Sequence, residues 1–116
     1  MSLVSKLGMV IHPVEDLDSA ARFYAEALGL TEKFRDGDRF CAFDVGGVTL
    51  ALAAGDERLT DGPAVSLKVE DLGAALAKLE AAGAEIVRGP ESGPHEERAV
   101  LRDPAGNPLV LYAPRS

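Results

Sequence analysis

The side chains best suited to acid–base, nucleophilic or metal chemistry are few: two histidines, one cysteine and two tyrosines among 116 residues. His95 stands beside Glu96 and Glu97 in GPHEE, a grouping that invites a metal ion or a general base. Adjacent residues of an extended segment diverge to opposite sides, so these three do not converge on one ion, and the segment reads as a solvent-facing or pocket-rim loop. His12 follows Met9 by three positions, which places the two on opposite faces of a strand, and it reads as a structural histidine. Cys41 has no base at a readable spacing and reads as a small buried hydrophobe rather than a nucleophile. One thiol cannot form an intrachain disulfide. No nucleophile elbow, phosphate loop or dinucleotide fingerprint is present.

Composition narrows the classes further. A chain of 116 residues that is 47% hydrophobic can bury a sizeable core as one compact domain. Its formal net charge of −7 repels phosphate backbones, and no basic stripe with interleaved aromatics occurs, so no nucleic-acid partner is expected. The same charge would favour cationic compounds electrostatically. The opening MSLVSKLGMVIHPV has an apolar run too short to span a bilayer and lacks the order of a secretion signal. A cytoplasmic protein with no membrane partner is the expectation.

The elements that must position any site are announced by a repeat. VEDL occurs at 14–17 and again at 69–72. Ahead of the first copy, residues 7–14 form an apolar, β-branched run that reads as a buried strand. Asp16 or Asp18 can cap the helix that follows, in which Leu17, Ala21, Tyr24 and Leu28 share one face and Phe23 and Tyr24 read as core. Gly29 suits the helix stop. Strands are expected at 31–35, 39–45 and 48–53, joined by Asp36-Gly37-Asp38 and by Gly46-Gly47, both hairpin signals. The second copy repeats the order: a strand at 64–69, Asp71 as cap, the stripe Leu72, Leu76 and Leu79, a stop at Gly83, then strands at 85–88, 97–102 and 108–112. Residues 89–96 read as a loop from their Gly, Pro and Ser content, and 55–63 as a linker. A short internal repeat of this kind means a unit that cannot bury its own apolar face. The fold expectation is therefore α+β: two paired β-α-β-β-β modules, about 4–54 and 63–113, forming a single domain at 1–116. Its curved, cup-shaped mixed sheet would carry helices on the convex side.

With VEDLDSAARFYAEALGL, RDGDRFCAFDVGGVTLALA and the closing DPAGNPLVLY, the sequence resembles the vicinal oxygen chelate superfamily. That group includes glyoxalase I, extradiol dioxygenases, fosfomycin-resistance enzymes and bleomycin-resistance proteins. The resemblance covers nearly the whole chain. It implies the duplicated fold and a homodimer, but no particular reaction. In metal-dependent members it also implies a divalent ion held by His, Gln or Glu from four strands. Carried over one at a time, those positions are Met9, Ala51, Ala64 and Val110. All four are apolar, and a hard or borderline divalent ion needs nitrogen or oxygen donors. No metal site and no cofactor are expected.

If Met9 faces the cup, alternation adds Ile11, with Thr49 and Ala51 on the fourth strand. The corresponding positions of the second module are Ser66 and Lys68 near Ala64, and Tyr112 beside Val110. Arg98, Val100 and Arg102 would share a face. Lys68, Arg98 and Arg102 either anchor a ligand or simply solvate a sheet face or pair with nearby acids, and Phe34 and Phe40 either stack on a planar ligand or pack. The expected ligand-binding set is Met9, Ile11, Phe40, Thr49, Ala51, Ser66, Arg98, Val110 and Tyr112. Two functions are carried. One is metal-free binding or sequestration of a small planar or amphipathic molecule, similar to the bleomycin-resistance branch. The other is a glyoxalase- or dioxygenase-type enzyme with an atypical site, for which His95, Glu97 and Tyr112 are the acid–base candidates.

Overall fold

The computed structural model describes residues 3–93 and 95–114. Its elements run β1 (Val4–Pro13), α1 (Leu17–Arg22), β2 (Thr31–Asp36), β3 (Phe40–Val45), β4 (Val48–Ala53), β5 (Ala64–Val69), α2 (Leu72–Ala81), β6 (Glu85–Ser92), β7 (Glu96–Arg102) and β8 (Pro108–Pro114). The β-α-β-β-β order thus occurs twice. The eight strands belong to a mixed sheet that does not close on itself, and with the two α-helices they place the chain in the α+β class. No helix among the described residues is long and apolar enough to cross a membrane.

The chain divides into two compact units, Met9–Pro63 and the combination of Met1–Gly8 with Ala64–Ser116, so β1 contributes to both. In the unit Met9–Pro63 the strand order is β2-β3-β4-β1, with β1 and β4 parallel and the other pairs antiparallel. Helix α1 buries Leu17 and Ala21 against Cys41, Phe43 and Leu52. The other unit orders its strands β5-β8-β7-β6, with β5 and β8 parallel. There α2 buries Leu72, Ala75 and Leu76 against Val69, Ala99, Leu101 and Leu111. The hydroxyl of Ser5 in β1 donates to the Lys68 carbonyl in β5 (3.2 Å).

The repeated VEDL now has a physical meaning. Its aspartate is the helix cap in both modules: Asp16 accepts from the Ser19 amide at 3.2 Å and Asp71 from the Ala74 amide at 3.0 Å. Its leucine is the first buried helical residue, Leu17 at 2% and Leu72 at 3% exposure. Each tetrapeptide ends a strand, satisfies a free first-turn amide and starts the apolar stripe. Replacing Asp71 by alanine is expected to lower stability by about 1 kcal/mol, read as a lower denaturation midpoint in urea with an unchanged slope.

The first helix departs from the simple stripe. Residues Phe23–Ala27 form a π-helical turn, closed by the Leu28 amide on the Phe23 carbonyl at 3.2 Å. A π turn holds more residues than an α turn, so positions beyond it rotate out of the 3.6-residue phase. Leu28, expected on the buried stripe, is 55% exposed as a result. Phe23, expected in the core, is equally exposed because two residues after Ala21 it already faces away from that stripe. Tyr24 remains partly buried, packed on Phe43 with ring centroids 6.1 Å apart. Two other boundaries also differ. β1 starts earlier than expected, at Val4, and β6 runs on through Ser92. The segment at 89–92 is therefore strand rather than loop, because Glu91 and Ser92 pair with Arg98 and Glu97 despite the Gly and Pro before them. The two-glycine turn behaves as read: Gly46 (φ 60°) and Gly47 (φ 92°) both adopt left-handed backbone, as a tight hairpin between twisted strands requires. In the last turn, the Asp103 carboxylate accepts from the amides of Ala105 and Asn107 and from the Asn107 side chain. Those contacts, the Asn107 amide first, hold its carboxyl below the usual carboxylate range.

Candidate functional site

Directly opposed residues of neighbouring strands share a sheet face, so register sorts the expected residues without ambiguity. In the α2 unit, β5, β8, β7 and β6 place Lys68, Tyr112, Arg98 and Glu91 in one row across the sheet. Ser66, Val110, Val100 and Arg88 form the next row. Both rows lie on the face away from α2, since the alternate residues Val69, Leu111, Ala113 and Leu101 belong to the helix-packed core. Arg98, Val100 and Arg102 do share a face.

Charge on this face is organised around Arg98, whose side chain is only 14% exposed. Its Nε lies 3.8 Å from Glu91 Oε1 and its Nη1 lies 4.0 Å from Glu96 Oε1. Arg88 Nε approaches the same Glu91 oxygen at 2.9 Å. Two carboxylates therefore orient one guanidinium. Arg102 instead donates to the Gly106 carbonyl (3.3 Å). Burial, and then the Glu96 carboxylate, raise the ionisation of the Tyr112 phenol above its ordinary range, so at neutral pH it is a hydrogen-bond donor. Glu91 and Glu96 are absent from the sequence-derived set. Glu96 and Arg98 stand two apart in one strand, and that spacing is the signal that places them together once the phase of β7 is known.

In the Met9–Pro63 unit, Ile11 lies opposite Ala51, Ala51 opposite Ala42, and Thr49 opposite Asp44. Phe40 sits opposite Ala53, and alternation adds Met9. These residues share the face away from α1. Ala51 is fully buried, Met9, Ile11, Phe40 and Thr49 partly so. The Thr49 hydroxyl accepts from Lys33 Nζ. Phe34 and Phe40 form a tilted aromatic pair with centroids 6.1 Å apart, and Phe34 is 51% exposed.

The reactive candidates stand elsewhere. His12, opposite Leu52 on the helix-covered side, has Nδ1 3.2 Å from the Tyr24 hydroxyl. The Cys41 thiol is fully buried and donates to Glu32 Oε1 at 3.3 Å, and burial, followed by that carboxylate, pushes its ionisation up to about 11. It is a thiol, not a thiolate, at neutral pH. His95 is exposed. Glu97 lies opposite Ala113 and Tyr112 opposite Arg98, so Glu97 and Tyr112 point to different faces of the sheet. The trio His95, Glu97 and Tyr112 is not assembled. A separate cleft of about 240 Å³ lies between α1 and β2, lined by charged pairs such as Asp18 with Arg35.

A divalent ion does not fit the residues present. Met9, Ala51, Ala64 and Val110 occupy the positions that the resemblance assigns to donors, and three of them are buried alanine or valine. Among the described residues, no group of three or more His, Cys, Asp or Glu side chains is placed to hold a metal.

Comparison with known proteins agrees with the geometry. Residues 6–111 match the family model for the glyoxalase/bleomycin resistance protein/dioxygenase superfamily. An uncharacterized protein of Mycolicibacterium smegmatis is 46% identical over 110 residues, covering 94% of each chain. A solved structure described as an NAD-dependent benzaldehyde dehydrogenase from Legionella pneumophila superposes with a TM-score of 0.77 at 18% identity, over 92% of this chain and 98% of that one. A superfamily member from Vibrio splendidus 12B01 gives a TM-score of 0.71 at 20% identity, over 90% and 96%. Structural likeness at such identities speaks for the fold alone. With 106 consecutive residues matched by the family model and every element of the duplicated β-α-β-β-β order in place, the chain belongs to the glyoxalase/bleomycin resistance protein/dioxygenase superfamily.

Proposed function

We propose that this protein binds or sequesters a small planar or amphipathic molecule without a metal ion. The observation that carries the reading is the donor set: Met9, Ala51, Ala64 and Val110 stand where the family resemblance puts metal ligands. None of them offers nitrogen or oxygen. What the sheet faces do offer is apolar surface edged by a few polar groups, which is how drug-sized ligands are held. Ser66, Arg98, Val110 and Tyr112 would act on one unit's face, and Met9, Ile11, Phe40, Thr49 and Ala51 on the other's. In this reading the two modules work as one domain, in a cytoplasmic homodimer, as the resemblance and the single free thiol suggest. The enzymatic alternative, a glyoxalase- or dioxygenase-type lyase or isomerase, is favoured only by the Tyr112 phenol beside Glu96.

Elemental analysis of purified protein, paired with thermal unfolding against divalent metals and planar antibiotics, tests the proposal. Metal content well below one ion per chain is expected, with no metal-dependent shift. A bound compound at saturating concentration should raise the unfolding temperature by about 5 °C or more. Stoichiometric Fe, Ni, Zn or Mn would overturn the reading in favour of catalysis.

A further inference from the structure

Three polar groups on the α2 unit's open face lack a hydrogen-bonding or ionic partner for the side chain among the described residues. They are the Ser66 hydroxyl, the Lys68 ammonium and the Tyr112 hydroxyl. Ser66 is only 4% exposed, and Lys68 and Tyr112 are partly buried. Ser66 and Lys68 lie two apart on β5, Ser66 opposite Val110 and Lys68 opposite Tyr112. None of the three is an orphaned buried atom, so each keeps contact with water and is available to a ligand. An occupant that accepts from all three would take the place of that water. Each can donate, the lysine can do nothing else, and the neighbouring row supplies Val110 and Val100 for an apolar body.

We infer that the face formed by Ser66, Lys68, Val110 and Tyr112 receives a carboxylate-headed small molecule, its anionic oxygens accepting from Lys68, Tyr112 and Ser66. This rests on the binding reading above and names its ligand class. It also reverses the expectation from net charge that a cationic compound is favoured. The acid excess is uneven: the unit holding this face has seven basic and eight acidic side chains, the Met9–Pro63 unit five and eleven. On the face itself the four cations Lys68, Arg88, Arg98 and Arg102 outnumber Glu85, Glu91 and Glu96. Local charge, not the whole-chain sum, meets a ligand within a Debye length of about 10 Å.

Three isosteric probes decide the matter by calorimetry on the full chain: 2-naphthoate, neutral 2-naphthalenemethanol and cationic 2-naphthylmethylammonium. The carboxylate should bind about tenfold more tightly than either of the others, as a charge-assisted hydrogen bond implies. Lys68→Met should weaken the carboxylate about tenfold and leave the alcohol unchanged. Lys68→Gln provides the same reading should the methionine variant fold poorly, and Tyr112→Phe should weaken the carboxylate several-fold. Equal binding of all three probes, preference for the ammonium, or indifference to Lys68→Gln overturns the carboxylate assignment and leaves metal-free binding standing. If no probe binds at millimolar concentration, both readings fall.

Discussion

Replacing Phe43 by alanine is expected to lower the unfolding free energy by about 3–5 kcal/mol, enough to threaten a domain whose total is of the order of 5–15 kcal/mol. The size follows from where the ring sits. Phe43 has no exposed surface and is the largest of the fully buried side chains. Its backbone is paired on both sides, to Glu32 in β2 and Leu50 in β4, so the strand cannot collapse into the space left behind. Several of the side chains around it are small, Ala21, Cys41 and Ala54 among them, and cannot reach to fill it. Transfer and cavity terms therefore add in full. The control is Phe23→Ala, the same chemical change on a residue with 55% exposure at the start of the π-helical turn. It should stay within about 0.5 kcal/mol. Guanidinium unfolding followed by circular dichroism measures both. If Phe23→Ala proves as damaging as Phe43→Ala, the ring is packed rather than exposed, and its place off the buried stripe of the helix is wrong.

That pair of residues also marks how far the sequence could be read. Periodicity, caps and turn glycines announced the duplicated order, and the two VEDL aspartates cap as expected because an N-cap is a local contact within three residues. Alternation carried the grouping of Met9, Ile11, Thr49 and Ala51, and of Ser66, Val110 and Tyr112, because a strand's period of two does not depend on what lies beyond it. Nothing in LDSAARFYAEALGL signals a π turn, and its extra residue was enough to bring out Leu28, whereas Phe23 stands off the Leu17–Ala21–Tyr24 stripe by helical phase alone. Residues 89–92 were hidden differently. Gly and Pro outweighed the pairing of Glu91 with Arg98, which depends on a strand that follows later in the chain. The Arg88–Glu91–Arg98–Glu96 cluster became visible only with that register. Non-local pairing, rather than residue type, limited what could be foreseen.

The second large effect is expected at Gly8, a position with no polar group to attract notice. A Cβ built there would lie 2.8 Å from both Cε1 and Cζ of Tyr112, closer than carbon atoms approach without displacement. Glycine at this point of β1 thus makes room for the phenol to lie across the strand, and that room sets the place of the hydroxyl on the open face. Gly8→Ala should drive the ring aside, because the end of a side chain yields before a paired backbone does, at about 1–3 kcal/mol of overpacking. Tyrosine ionisation reports the displacement directly. In a Tyr24→Phe background Tyr112 is the single tyrosine, and its titration, raised by burial and then by Glu96, should fall back toward about 10 once the ring is in water. The sign for stability follows. A phenol with a raised folded value contributes stability that is fully present below about pH 10 and is lost as pH rises through the folded value, so Gly8→Ala should flatten the alkaline limb of the stability profile. Tyr112→Ala alone removes the obstruction. Adding Gly8→Ala to it should then change stability by less than about 0.5 kcal/mol, whereas the two single changes would not be additive. An unaltered tyrosine titration in Gly8→Ala would mean that the phenol does not lie over β1. The donor row of Lys68 and Tyr112 would then lose the feature that holds its hydroxyl in place.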